Sequence, residues 1–336
     1  MITRHGPPEV LKVEERPDPE PGPGEVRVRV HAAGINFADT MARVGMYPDA
    51  PKPPCVVGYE VAGEVDKTGE GVDDVAVGDR VFGGCRFGGY AELAVTAAEN
   101  VVPLPDDWSF EEGASLPVVY ATAYAALLRY GSLRADESVL IQAAAGGVGI
   151  AATQIARLAG AGTIYGTASA SKHDAIRGFG VDHPIDYRSA DFVEEVRRIA
   201  GEKEPIDIAL DAVGGQSFRR SWSLLRPGGR LVCYGASAVA SGERRNLLAA
   251  GRTLIGTPWF NPLRMMPVSK SVIGLNMLTL WDSKGSLDEF IEPLTEWVQG
   301  GKLRPVVSEA FPLERGADAH RFIQERKNVG KVVLTV

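Results

Sequence analysis

The chain has 336 residues, 45% hydrophobic and 24% charged, with a formal net charge of −7. That length accommodates two ordinary domains, and the composition is that of a globular protein with no basic stripe to favour nucleic acid. No run approaches the ~18 apolar residues of a membrane span, MITRHGPPEV lacks the apolar core of a signal peptide, and three scattered cysteines point to a reducing compartment, the cytoplasm, without a disulfide framework.

The first ~120 residues alternate with period two between turn residues, as strands do. Val26, Val28 and Val30 form an apolar face opposite Arg27, Arg29 and His31, which places His31 on a solvated side. Val56–Val65, the run Val77–Phe82 and Tyr90–Val95 are further strands with glycine corners, predicting a compact barrel-like β domain. At Leu116-Pro117 a long alanine-rich helix opens, reaching about Tyr130. Strand and helix then alternate. Strands are predicted at Ser138–Gln142, Gly162–Thr167, Ile185–Asp186, Ile206–Asp211, Arg230–Tyr234 and Thr253–Gly256. Helices are predicted at Gly147–Ala159, Lys172–Phe179, Asp191–Ala200, Gln216–Leu225 and around Arg244–Ala250. This alternation builds a parallel sheet covered on both faces. Beyond Trp259 come a helix over Leu287–Gln299, a strand at Arg304–Ser308, a helix at Ala317–Arg326 and a strand at Lys331–Val336, a tail that returns to the β domain.

The stretch SVLIQ-AAAGGVG-IAATQIARLAG carries the most information. A buried strand, a glycine turn and a helix start together form a pyrophosphate grip, with the helix offering unpaired N–H groups to an anion. Gly146, Gly147 and Val148 are the candidate contacts, and Gly149 lets the helix pack closely. In such sites a carboxylate at the end of the second strand binds the ribose hydroxyls and repels a 2′-phosphate. Here Ser169, Ser171 and Lys172 occupy that place, with no carboxylate before Asp174, and Tyr187-Arg188 follows the third strand. Hydroxyl donors and an ammonium favour NADPH over NADH. Gly214 after the fourth strand, and Tyr234, Gly235 and Ser237 after the fifth, lie at carboxyl ends where ligands bind.

GINFADTMARVGMYP (34–48) and AAAGGVGIAATQIARLAGA (143–161) resemble the active-site segment and cofactor loop of the zinc-free quinone oxidoreductase branch of the medium-chain dehydrogenase/reductase superfamily. GTASASKHDAIRGFGVDHPIDYR (166–188) and KNVGKVVL (327–334) are similar to its vesicle amine transport protein homologue subgroup. The resemblance implies an α/β chain with two domains. A Rossmann doubly wound parallel sheet at 119–259 is enclosed by a β-rich, GroES-like catalytic domain from 1–118 and 260–336. It also implies NADPH, and a homodimer joined through edge strands. Where zinc alcohol dehydrogenases carry Gly-His-Glu, this chain has Gly58-Tyr59-Glu60, and the lobe with four closely spaced cysteines is missing. Scattered histidines and cysteines offer no tetrahedral spacing, so no metal is expected.

Without a metal, reduction of a quinone or conjugated enone remains accessible, because hydride addition yields a delocalised oxyanion that a few hydrogen-bond donors stabilise. Asn36 is the first candidate donor, with an Asx turn as its structural alternative. Tyr47 is a second donor or a structural corner. Tyr59 lines or fills the place of the metal-ligand histidine, and Asp39 reads as a local cap. By resemblance Thr122 lies near the nicotinamide, and Asn328 and Lys331 close the cofactor cleft, with an ordinary strand-edge lysine as the alternative for Lys331. The apolar segment Thr257–Met266, with Phe260 as a cofactor candidate, is a substrate lid, a dimer surface or a lipid contact. The leading expectation is an NADPH-dependent quinone or enone reductase. The alternative is an NADPH-binding interaction or membrane-associated protein with little turnover.

Overall fold

The computed structural model describes residues 1–239, 242–243 and 245–336. They cluster into two units: Met1–Ala121 with Gly242–Arg245 and Leu280–Val336, and Thr122–Ser241 with Asn246–Thr279.

The first unit begins with β1 (Glu25–Ile35), α1 (Phe37–Arg43), β2 (Glu60–Thr68), β3 (Arg80–Gly84), β4 (Leu93–Ala97) and β5 (Val101–Pro103). Val26, Val28 and Val30 are buried as the alternation predicts, and Arg27 pairs with Asp66 on β2 at 2.8 Å. The β1–β2 register slips between Val30 and Ala32, leaving His31 as the extra residue of a bulge. Bulging re-aims its ring, which stacks on Phe110 at 4.4 Å, with Nε2 buried rather than solvated. The bulge demands a glycine opposite: a Cβ on Gly63 would sit 1.9 Å from the Arg29 carbonyl oxygen. α2 (Pro117–Tyr124) follows, continued as a wider π-type turn through Arg129.

The second unit supplies β6 (Val139–Ile141), α3 (Gly147–Leu158), β7 (Ile164–Ala168), α4 (His173–Gly178), β8 (His183–Asp186) and α5 (Phe192–Ala200). It continues with β9 (Ile206–Asp211), α6 (Gln216–Trp222), β10 (Leu225–Cys233), α7 (Leu247–Gly256) and β11 (Ser271–Gly274). All pairings are parallel, in the order β11-β10-β9-β6-β7-β8. The order reverses between β6 and β9, the position at which doubly wound sheets open a ligand crevice.

The chain then provides β12 (Val307–Pro312), α8 (Gly316–Gln324) and β13 (Lys331–Thr335) to the first unit. Its sheet runs β12-β13-β1-β2-β3-β5, with β4 also on β1. β13 lies antiparallel to β1, with Ile35 opposite Val332, so Lys331 arrives beside Asn36.

Several expected elements differ. The segment Thr253–Gly256 is the end of α7, not a strand; a four-residue apolar run does not distinguish the two. The sixth strand is instead Ser271–Gly274. Because it pairs with β10, residues 260–279 cluster with the second unit, and the return to the first comes at Leu280 rather than 260. Arg244, where a helix was expected to start, lies outside the described residues; the helix begins at Leu247. Pro293 lacks a donor and breaks the helix expected over 287–299 into Asp288–Ile291 and Thr295–Gln299. The strand expected from Arg304 starts at Val307, past Pro305.

Candidate active site

In the second unit the glycine turn is built from backbone contacts. Gly146 is the N-cap of α3 in extended conformation, and Ala143 takes φ of 55° to turn the chain out of β6. A Cβ on Gly149 would lie 2.5 Å from the Ala143 carbonyl oxygen and 2.6 Å from Ala144 Cα, so the glycine allows α3 to sit against its own turn. The first N–H groups of α3, from Gly147 and Val148 onward, have no intrahelical acceptor and suit an anion.

A buried polar ladder ties this turn to its neighbours. The Ala143 N–H donates to Thr167 Oγ1 (3.1 Å), whose hydroxyl donates to Gln142 Oε1 (2.8 Å). Gln142 Nε2 donates to Ser221 Oγ (3.3 Å), which donates to Asp211 Oδ2 (2.8 Å). Asp211 also accepts from Ser217 Oγ and from the Val213 and Gly214 amides, while burial raises its pKa. The ladder crosses the carboxyl ends of β7, β6 and β9, and its Asp211 end shapes the Gly214 turn, where φ is 86°. Gln142, Thr167 and Asp211 were absent from the sequence-derived site; the only signal was their position at strand ends.

At the end of β7, Ser169 is buried with Oγ 3.5 Å from Ser171 Oγ, and Lys172 is half-buried. Tyr187, half-buried, has the Arg188 guanidinium 6.0 Å from its ring centre. Asp186, the carboxylate at the end of β8, is committed to the Arg188 amide and Ser189. Tyr234, Gly235 and Ser237 follow β10; the Tyr234 and Ser237 amides donate to Asp211 and Ala212 carbonyls. Thr122 is buried at the start of the unit. Phe260 packs on Trp222 at 5.0 Å and belongs to that unit's apolar cluster.

The first unit holds a buried cluster around Asn36. Lys331 Nζ lies 2.5 Å from Glu60 Oε1 and donates to Asn36 Oδ1 at 2.6 Å, and Asn36 Nδ2 donates to Glu60 Oε1 at 2.8 Å. Because the ammonium only donates and the carboxylate only accepts, the amide has one permitted orientation. Its second N–H is left without a partner among the described residues. Glu60 Oε2 accepts from the Val118 amide at 2.8 Å, capping α2. Lys331 is therefore no strand-edge lysine: it is buried within this cluster. Asn328 bonds the Gly330 carbonyl. Asp39 accepts from the Asn36 amide at the start of α1, as a cap does, but also from Gly58 N and Tyr90 Oη.

Tyr59 is 5% exposed and packs against Phe87 at 4.9 Å, and its buried hydroxyl meets the Tyr47 phenol and no other polar partner among the described residues. Burial, with Asp39 nearby, raises that phenol far above its usual range. Burial likewise pushes half-buried Tyr47 up to about 12. Both phenols thus remain protonated donors at neutral pH. Among the described residues no three His, Cys, Asp or Glu side chains are grouped to hold a metal, and Glu60 is already engaged by Lys331, Asn36 and the Val118 amide.

Residues 22–106 match the family description "Alcohol dehydrogenase GroES-like domain", and residues 179–334 match "Zinc-binding dehydrogenase". The synaptic vesicle membrane protein VAT-1 homolog of Danio rerio is 42% identical over 91% of this chain, which spans 63% of that protein's length. The human VAT-1 homolog-like crystal structure superposes with a TM-score of 0.85 at 34% identity, covering 100% of this chain and 96% of that one. Escherichia coli quinone oxidoreductase complexed with NADPH gives 0.85 at 30%, covering 100% and 98%. The chain belongs to the medium-chain dehydrogenase/reductase superfamily and is related to the VAT-1 homologues and the quinone oxidoreductases.

Proposed function

We propose that this protein reduces quinones or α,β-unsaturated carbonyls with NADPH, without a metal. The observation that carries the reading is the Tyr59 hydroxyl, a buried, protonated donor paired with the Tyr47 phenol where metal-dependent relatives present an imidazole. Such donors stabilise a developing oxyanion without supplying a Lewis acid. When bound, NADPH supplies the hydride, and a proton from a side chain or water completes the two-electron reduction. Gly146, Gly147 and Val148 would hold the diphosphate at the start of α3, while Ser169, Ser171 and Lys172 would hold the 2′-phosphate. Asn36, with its orientation set by Lys331 and Glu60, and Tyr59 would position the acceptor oxygen. Tyr47, its phenol also protonated at neutral pH, would be a second donor to that oxygen.

The reading includes a cytoplasmic homodimer. The outer edge of β11 is unpaired among the described residues, and Leu254, Ile255, Trp259, Leu263 and Met266, earlier in the sequence, are all exposed. No helix among the described residues is long and apolar enough to cross a membrane.

The deciding experiment follows NADPH consumption against naphthoquinones, ortho-quinones and enones, with metal analysis of the same preparation. Turnover by metal-free protein is expected. Demonstrated NADPH binding with no turnover on the whole panel would replace this reading with that of a nucleotide-binding interaction protein.

A further inference from the structure

Four side chains of the first unit form a continuous hydrogen-bonded chain that no step above uses. Arg43, the fully buried last residue of α1, donates from Nε to His320 Nδ1 at 3.3 Å. Its other nitrogens donate to the Gly6 and Glu243 carbonyls and to Gln324 Oε1. His320, on the buried face of α8, has Nε2 3.3 Å from the Tyr90 hydroxyl, which lies 3.0 Å from Asp39 Oδ2. Asp39, wholly buried, also accepts from the backbone amides of Asn36 at 2.8 Å and Gly58 at 3.2 Å.

One end dictates the direction of every bond. A guanidinium has donors only, so Nδ1 accepts and the imidazole proton resides on Nε2. Nε2–H then donates to the Tyr90 oxygen, which leaves the phenolic proton for Asp39. Asp39 faces three donors and no acceptor, surroundings that suit only a carboxylate. A proton on Oδ2 would face the Tyr90 O–H, and turning that hydroxyl away would send the His320 proton to Nδ1, against the Arg43 N–H; a proton on Oδ1 meets the Gly58 N–H and no acceptor.

We propose that Arg43 and His320 are positioning residues. Through Tyr90 they hold Asp39 as the carboxylate that clamps the Asn36 and Gly58 amides, and so set the two turns that carry Asn36 and Tyr59. The proposal deepens the reading of those side chains as substrate-facing donors. Burial acts against the clamp and pushes Asp39 up to about 7, opposed by its hydrogen bonds and by Lys331. Burial, with the Arg43 charge, holds His320 at about 3 and therefore neutral. Arg43, lowered to about 10 by burial, stays cationic at neutral pH. The other titratable and charged groups acting on this cluster are Glu9, Glu243 and Arg321 around Arg43, the N-terminal amine near His320, and Glu60, Tyr47, Tyr59 and Cys85 around Tyr90 and Asp39.

Nitrogen NMR of histidine-labelled protein reads the tautomer without any turnover. His320 is expected as the neutral Nε2–H form between roughly pH 5 and pH 9. In parallel, kcat/KM is expected to fall as the pH drops below about 7. In Tyr90→Phe, which removes a donor and keeps the ring, that limb moves to higher pH by about one unit. His320→Leu, which can neither accept from Arg43 nor donate to Tyr90, is expected to move it in the same direction with Tyr90 intact. An Nδ1–H tautomer, an imidazolium titrating near the ordinary histidine value, or an unmoved limb in Tyr90→Phe overturns the proposal. The predicted tautomer, with an Asp39 titration by carbon NMR that responds to Tyr90→Phe but no turnover on any acceptor, upholds the clamp and removes the activity reading instead.

Discussion

The Lys331 ammonium and the Glu60 carboxylate are 2.5 Å apart and both closed off from water, although 271 positions of sequence separate them. A buried pair of this kind adds modest net stability, yet losing one partner strands the other charge. Lys331→Met is therefore expected to destabilise the fold by about 3–5 kcal/mol in urea titrations. Adding Glu60→Gln removes the stranded charge and recovers part of the loss. A cost for Lys331→Met of under about 1 kcal/mol would mean that the pair behaves like an exposed one.

Cofactor choice is predicted to depend on the end of β7. Lys172→Ala should raise the KM for NADPH about tenfold, the equivalent of one charge-assisted contact, and leave that for NADH nearly unchanged. Ser169→Glu places a carboxylate where the 2′-phosphate would lie and should reverse the preference. Parallel Michaelis constants for the two reduced cofactors check both.

Gly149→Ala tests the glycine turn. Its methyl group would meet backbone at 2.5–2.6 Å, contacts that no side-chain rotation relieves. A cost of about 1–3 kcal/mol is expected from overpacking, together with loss of the thermal shift that NADPH produces in the wild type. An undiminished shift would show that α3 can move away from its turn without harm to the nucleotide site.

Two buried groups pull stability in opposite directions with pH. His320, lowered from 6.5 to about 3, leaves the unfolded state binding the extra proton, so its contribution is complete above 6.5 and is lost as the pH falls. Asp39, raised from 3.8 to about 7, makes the folded state the greater proton binder, so its contribution is present below 3.8 and is lost as the pH rises towards 7. Between 3.8 and 6.5 the two slopes cancel. Relative to wild type, His320→Gln should therefore lose about 1.4 kcal/mol of stability for each unit of rising pH in that window. Chemical denaturation across the range measures it, and parallel curves for the two proteins would contradict it.

The exposed apolar residues between Leu254 and Met266 should control association. Ile255 is 86% and Trp259 91% exposed in the single chain. Ile255→Lys with Trp259→Ser is expected to convert a dimer to monomer in light scattering, with folding intact. Wild-type protein that is monomeric but sediments with anionic liposomes, and loses this on the same substitutions, would assign these residues to lipid.

What the linear order of residues determined is the local part of this protein. Val139–Ile141, the glycine turn and the start of α3 are contiguous, and so are Ser169, Ser171 and Lys172. Their geometry follows from strand, turn and helix rules that act over a few residues, and the two-unit plan follows from periodicity. Tertiary structure alone decided the Asn36–Glu60–Lys331 cluster and the Arg43–His320–Tyr90–Asp39 chain. Both depend on the β1–β13 register and the seating of α8, which bring the end of the chain to its beginning. It also re-aimed His31 through a one-residue bulge and turned an apolar tetrapeptide from a strand into the end of α7. Hydrogen-bond partners of buried charges are fixed by which segments meet in space, and no short-range pattern encodes that meeting.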